Sequence, residues 1–240
     1  MQFRKTIFAA IVSTAAILVA SSDALAAAWT TPSGTTATFR YENGRDTQGR
    51  FGSPVQVTST GFVFEPENFI AVSSNDTPSI VTDTMKVIVS SLNGDKTINF
   101  VSLNELGDYS INNGGGVKAH AGVFVRVEDP SYPFANRTYS ATLNSNPSMP
   151  INAEDADGIW SGNLRVNLPA PAARISITFN NTLHANSDVG GSSFIQKKLI
   201  GDADSTGAGL IIGTNTVPEP TAMLAILGGA GFIAARRRKA

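Results

Sequence analysis

Apolar residues recur at every second position along much of this chain, and that period suits strands better than any helix. In 173–179, Ile175, Ile177 and Phe179 fall on one face while Arg174, Ser176 and Thr178 fall on the other. This is the pattern of a strand with one buried side. Val123, Val125 and Val127 repeat it, with Phe124 and Arg126 sharing the opposite face. The same reading places strands over 35–41, 55–64, 68–72, 84–92, 97–103, 138–144, 159–168 and 193–200. A middle region rich in Thr, Ser, Val, Ile, Phe, Asn and Gly favours strands and turns over helices. Asn93-Gly94-Asp95 supplies the positive φ angles of a tight turn, so 84–92 and 97–103 are expected to pair as a hairpin. Asn43-Gly44 and the Asn-Asn-Gly-Gly-Gly run over 112–116 mark further turns. About ten short strands without an amphipathic helix predict an all-β fold, an antiparallel β-sandwich of jelly-roll-like form. No internal repeat points to a propeller or solenoid.

Both ends differ from the middle. Arg4 and Lys5 precede an apolar run over 7–20, and a small-residue site follows at Ala24-Leu25-Ala26. That is the plan of a secretory signal peptide, with cleavage expected after Ala26 and the recognition positions at Ala24 and Ala26. The chain is then expected to use the Sec translocon and signal peptidase. Its domain layout is 1–26 signal peptide, 27–216 sandwich domain with a flexible connector over about 202–216, and 217–240 a separate tail. Setting the ends aside removes six of the 18 basic and two of the 19 acidic residues, which leaves the middle near −5. Such a balance offers no basic stripe for phosphate backbones, so nucleic acid is not an expected partner. The sequence has no cysteine, which removes disulfides, thiol catalysis and thiolate metal sites, and leaves stability to the core.

The tail has three parts in order: Val217-Pro218-Glu219-Pro220, an uncharged apolar run over 221–235, and the basic end Arg236, Arg237, Arg238 and Lys239. The prolines break any preceding strand and leave an extended, accessible stretch. A helix over 221–235 would cover roughly 22 Å, short of the ~30 Å hydrocarbon core. Its basic end would stay on the cytoplasmic side and leave the middle domain outside. Residues 217–240 resemble the PEP-CTERM sorting signal, which carries the same three parts in the same order. The resemblance implies recognition by an exosortase, a Cys-dependent integral-membrane processing enzyme, in a Gram-negative bacterium that makes extracellular polysaccharide. It further implies processing near 218–220, followed by release or attachment at the cell surface.

Chemistry in the middle region is sparse. Glu154, Asp155 and Asp157, followed by Gly158, set oxygen ligands close together and offer a tentative Ca²⁺ site, although the stretch falls short of a complete EF-hand loop. The alternative is a solvated acidic turn entering the next strand. No other cofactor is expected. Trp160 offers either a stacking face for a sugar or a packed core residue. Trp29 lies at the expected mature N-terminus, where disorder is expected. His120 is placed in a strand, packed or hydrogen-bonded, and His184 in an Asn-rich turn; neither belongs to a Gly-x-Ser-x-Gly or His-Glu-x-x-His motif. Asn75, Asn136 and Asn180 head glycosylation sequons that are incidental in a bacterium. No catalytic residues are assigned, and the chain is not expected to be an enzyme. The expectation is an exported surface or extracellular matrix protein associated with exopolysaccharide or biofilm. A carbohydrate-binding module and a polysaccharide hydrolase are the alternatives.

Overall fold

The computed structural model describes residues 26–92, 96–130, 132–199, 201–202, 207–208 and 210–216. The expected signal peptide up to Leu25, the sorting motif at Val217, Pro218, Glu219 and Pro220, the apolar run and the basic end all lie outside the described residues.

The strands in chain order are β1 (Ala27–Ala28), β2 (Gly34–Thr35), β3 (Phe39–Asp46), β4 (Gln56–Val57), β5 (Gly61–Val63) and β6 (Ile70–Ser74). Then follow β7 (Ser79–Ser91), β8 (Lys96–Asn112), β9 (Gly115–Val127), β10 (Thr138–Thr142), β11 (Asn144–Asn146) and β12 (Ile151–Ala153). The last are β13 (Ala156–Ala172), β14 (Arg174–Ser187), β15 (Ser192–Leu199), β16 (Gly201–Asp202), β17 (Gly207–Ala208) and β18 (Leu210–Thr216). Every ladder between them is antiparallel. The described chain is therefore all-β, and its two large sheets face each other as a sandwich.

One sheet runs β7-β14-β9-β10, extended by β3 beside β7. In the other, β15 lies between β6 and β8, and β13 lies on the far side of β8. The eight strands β6 to β10 and β13 to β15 thus pair as a folded ribbon: β6 with β15, β7 with β14, β8 with β13 and β9 with β10. Long β8 is flanked by β15 along one half and by β18 along the other.

Alternation decides which side chains make the core. Met85, Val87 and Val89 of β7, Val123, Val125 and Val127 of β9, and Ile175, Ile177 and Phe179 of β14 all point inward. Opposite them stand Val101 and Leu103 of β8, Leu164 and Val166 of β13, and Ile195 of β15. An aromatic cluster of Trp29, Phe39, Tyr41, Phe62 and Phe64 is sealed in beside them. Trp29 is 2 % exposed, so the disorder expected of it is corrected: its indole packs on Phe62 and Phe64.

The structure corrects three further expectations. Segments 84–92 and 97–103 do not form a hairpin, because β7 lies in one sheet and β8 in the other. Asn43-Gly44 is not a turn between strands but a bulge within β3, where the register slips between Glu42 and Arg45 and Asn43 takes φ 58°. A Cβ at Gly44 would run into the Trp29 ring, so glycine is what lets that indole lie against the strand. The expected flexible connector over 202–216 ends in β18, whose Leu210 and Ile212 are buried.

The loop between β3 and β4 is organised by two buried carboxylates. Asp83 accepts hydrogen bonds from the backbone N–H groups of Thr47, Gln48, Arg50 and Thr84 and from the Thr47 hydroxyl. Asp46 accepts from the N–H groups of Phe51 and Gly52.

Candidate functional site

The outward face of β9 and β14 carries the arrangement best suited to holding a ligand. Even-numbered residues of both strands point away from the core, since their odd-numbered neighbours fill it. The register sets Phe124 beside Thr178, Gly122 beside Asn180, His120 beside Thr182 and Lys118 beside His184. On the other flank of β9, Ser140 faces Phe124 and Thr142 faces Gly122. Gly122 has no side chain, so a groove opens between Phe124 and His120, with a volume of about 220 Å³. Its walls are hydroxyls, the Asn180 amide, an imidazole and the Phe124 ring, which is 40 % exposed.

Further along the same face, at the start of β9, lies a wider basin of about 530 Å³. It is lined by the backbone of Gly114 and Gly115 and by Asn113, Asn152, Glu154, Asn186 and Asp188. The run over 112–116 forms a turn as expected, but it carries the chain between sheets rather than between paired strands. Asn113, Gly114 and Gly115 take φ of 55°, 87° and 142°. A Cβ at Gly114 would collide with the Asp188 carboxylate, which explains why glycine stands there. The Gly114 N–H donates to the Glu154 carbonyl at 2.6 Å, and the Asp188 N–H donates to the Gly114 carbonyl at 3.2 Å. The Asn152 and Asn186 amides converge over Gly116, where no side chain intervenes.

His184 is not in a turn. It lies in β14, half-buried, and its pKa is lowered by burial first and then by the nearby Lys118 ammonium and His120 ring. The neutral imidazole is therefore favoured more than usual, leaving one donor and one acceptor nitrogen. His120 lies in a strand as expected, but it is exposed rather than packed.

The three acidic residues read as a Ca²⁺ candidate are brought to one turn without converging. Glu154 lines the basin, the Asp155 carboxylate accepts the Asn113 N–H at 3.0 Å, and Asp157 points outward from β13 beside Ser110. Among the described residues, no group of three His, Cys, Asp or Glu side chains is placed to hold a metal ion. Trp160 corrects the sugar-stacking expectation. It is fully buried, its N–H donates to the Gln196 carbonyl at 3.1 Å, and no ring face reaches solvent.

The sequence reading placed Phe124 on the polar face of β9 without giving it a role. It missed Gly122, Asn152, Asn180, Thr182, Asn186 and Asp188. The place of Phe124 on the polar face was legible in the alternation, but a role for it was not, since a single exposed apolar residue is ordinary on a protein surface. Convergence of the amides is a matter of register, which sequence alone leaves open.

No family model and no curated protein matches the chain. Among solved structures, the enzymatically active domain of the bacteriophage CBA120 tailspike protein 4 is similar at 14% identity and a TM-score of 0.17. That match covers 70% of this chain and 18% of the tailspike chain. TmCBM61 in complex with beta-1,4-galactotriose is similar at 11% identity and a TM-score of 0.19, over 71% of this chain and 94% of that one. Likeness at this level carries no functional argument, which rests on the groove and basin themselves.

Proposed function

We propose that this chain is an exported, non-enzymatic surface or matrix protein whose sandwich binds extracellular polysaccharide along the outer face of β9 and β14. The observation that carries this reading is the groove over Gly122, with an exposed aromatic ring at one side and amide and hydroxyl groups around the rest. A sugar ring has apolar C–H faces and a polar rim, so it stacks on an aromatic face while its hydroxyls exchange hydrogen bonds with neutral groups. From Gly116 to Phe124 the strand spans about 25 Å, long enough to hold several sugar units of an extended polymer. The basin adds two carboxylates and three amides to that path. The binding proposed here requires no bound metal. We read the ribbon pairing of the eight strands as a jelly roll, an arrangement of two Greek keys. The export half of the proposal rests on the signal-peptide plan and the PEP-CTERM-like tail, with exosortase as the processing partner.

The test is affinity electrophoresis of the purified protein through gels containing exopolysaccharide from cells that produce it. Retardation is expected, and Phe124→Ala should weaken it about fivefold, the loss of roughly 1 kcal/mol of stacking. Phe134, also 40 % exposed but on the β9–β10 loop, supplies the control. A Phe134→Ala change should leave the retardation intact. Equal retardation of wild type and Phe124→Ala would remove the groove from the proposal. Release of new reducing ends from the polymer would instead favour the hydrolase alternative, with Glu154 and Asp188 as its acid–base candidates.

A further inference from the structure

Between the sheets lies a polar trio unrelated to the outer face. Lys197 of β15, Glu105 of β8 and Asn181 of β14 are 1 %, 2 % and 2 % exposed. The Lys197 Nζ donates to Glu105 Oε1 in a short ion pair. Asn181 Nδ2 donates to the same oxygen at 2.6 Å. Both nitrogens therefore meet at one carboxylate atom. Four aromatic rings surround the ammonium, with centroids at 5.2 Å for Phe69, 5.4 Å for Phe179, 5.7 Å for Phe51 and 5.9 Å for Trp160.

As a salt bridge this cluster is poorly built. Taking a lysine and a glutamate out of water costs several kcal/mol, and apolar packing would serve a core at least as well. Two of its oxygens, Asn181 Oδ1 and Glu105 Oε2, are buried without a hydrogen-bond partner. Buried polar atoms are nearly always satisfied, so two orphans in one cluster point to a role other than stability.

The geometry points to a covalent bond: we propose that Lys197 and Asn181 join as an intramolecular isopeptide, with Glu105 carrying the protons. In the water-poor centre of the sandwich a neutral pair competes with an ion pair. Burial pushes the Lys197 pKa down to about 8, against the opposing charge and hydrogen bond of Glu105. Transfer of one proton from Lys197 to Glu105 leaves a free amine and a carboxylic acid. Rotating the Asn181 amide puts Oδ1 against Glu105, whose acid proton then polarises the carbonyl. Such a rotation exchanges groups of nearly equal size.

The Lys197 Nζ lone pair attacks Asn181 Cγ and a C–N bond forms. The bond from Cγ to Nδ2 then breaks, and its electron pair leaves with nitrogen. Two protons in total pass from Nζ to Nδ2 by way of Glu105, so the leaving group departs as ammonium and Glu105 returns to a carboxylate. Nothing is oxidised or reduced, and no co-reactant is consumed. This is nucleophilic and general acid–base chemistry with all participants supplied by the fold. The product ties β14 in one sheet to β15 in the other.

Peptide mapping by mass spectrometry on the full-length protein tests the proposal. The expected result is one branched peptide that joins the segments holding Lys197 and Asn181, lighter by one ammonia than the two segments together. Glu105→Gln keeps the shape of the side chain but cannot shuttle the proton, and should yield only linear peptides. Linear Lys197 and Asn181 peptides from the wild type would overturn the bond, whether or not the variant folds. A branched peptide that persists in Glu105→Gln would overturn the part given to Glu105. Neither readout depends on polysaccharide.

Discussion

Asp46 is held by the fold at a cost that depends on pH. Burial raises its pKa from 3.8 to about 6, and the neighbouring charge of Asp83 adds to the rise, against hydrogen bonds from Gly52 and Phe51. Asp83 moves the other way: burial would raise it, but hydrogen bonds from Thr47, Arg50, Gln48 and Thr84 outweigh that and lower it. Because the folded Asp46 keeps its proton longer than the unfolded one, the native state binds more protons between about pH 4 and pH 6. This group's contribution is therefore fully present below about pH 4 and is lost as pH rises through about 6. Asp46→Asn should flatten that segment of a denaturation-against-pH curve and raise stability at pH 7 by about 2 kcal/mol. Urea titrations between pH 4 and pH 7 measure it. A variant with the wild-type slope would show that Asp46 is not the group responsible.

Residues also mark where the sequence was legible. Ile175, Ile177 and Phe179 could be assigned to the core from period alone, and the structure agrees. Trp160 could not, because both of its readings shared one strand position. The deciding facts, the Gln196 carbonyl it donates to and the Lys197 ammonium over its ring, come from a strand distant in sequence.

At the level of elements, most strands were legible and their partners were not. Asn93-Gly94 carries a strong local hairpin signal, yet β7 finds β3 and β14 instead, and β8 finds β13, β15 and β18. Tertiary pairing overrides turn propensity when both flanking strands have long apolar faces to bury elsewhere. The connector was misread for a related reason. Residues 202–216 are rich in Gly, Thr, Ser and Ala and suggest a linker, whereas Leu210 and Ile212 are enough to dock β18 against Val101 and Leu103. A chain truncated after residue 216 should melt like the full-length protein. Truncation after residue 202 should cost about 3–6 kcal/mol, the burial of two aliphatic side chains at about 1.5–3 kcal/mol each. Thermal melts of the two truncations side by side decide it, and equal melting temperatures would make β18 dispensable.

For the whole molecule, the proposed export and tail processing make a prediction that needs no knowledge of the ligand. Intact mass of the protein recovered from its native host should show loss of the residues after about Pro218. A mass that includes the chain through Ala240 would defeat the sorting proposal. The architecture class was legible here because it follows from alternation and turn density. The proposed binding face was not, since it is assembled by β9, β10 and β14, whose adjacency no single segment encodes.

The ribbon pairing has a consequence for the order of events as the chain is made. β6 waits for β15, whose paired residues lie 118 to 126 positions away, and β7 for β14, whose paired residues lie 84 to 106 positions away. β8 cannot be enclosed until β13, β15 and β18 have all appeared. Contacts of such long sequence separation form late and slowly. A chain emerging amino end first thus cannot close its sandwich until nearly all of the domain is available. That delay is written into the topology itself, and a polypeptide whose sandwich is still open stays threadable, as the proposed export would need.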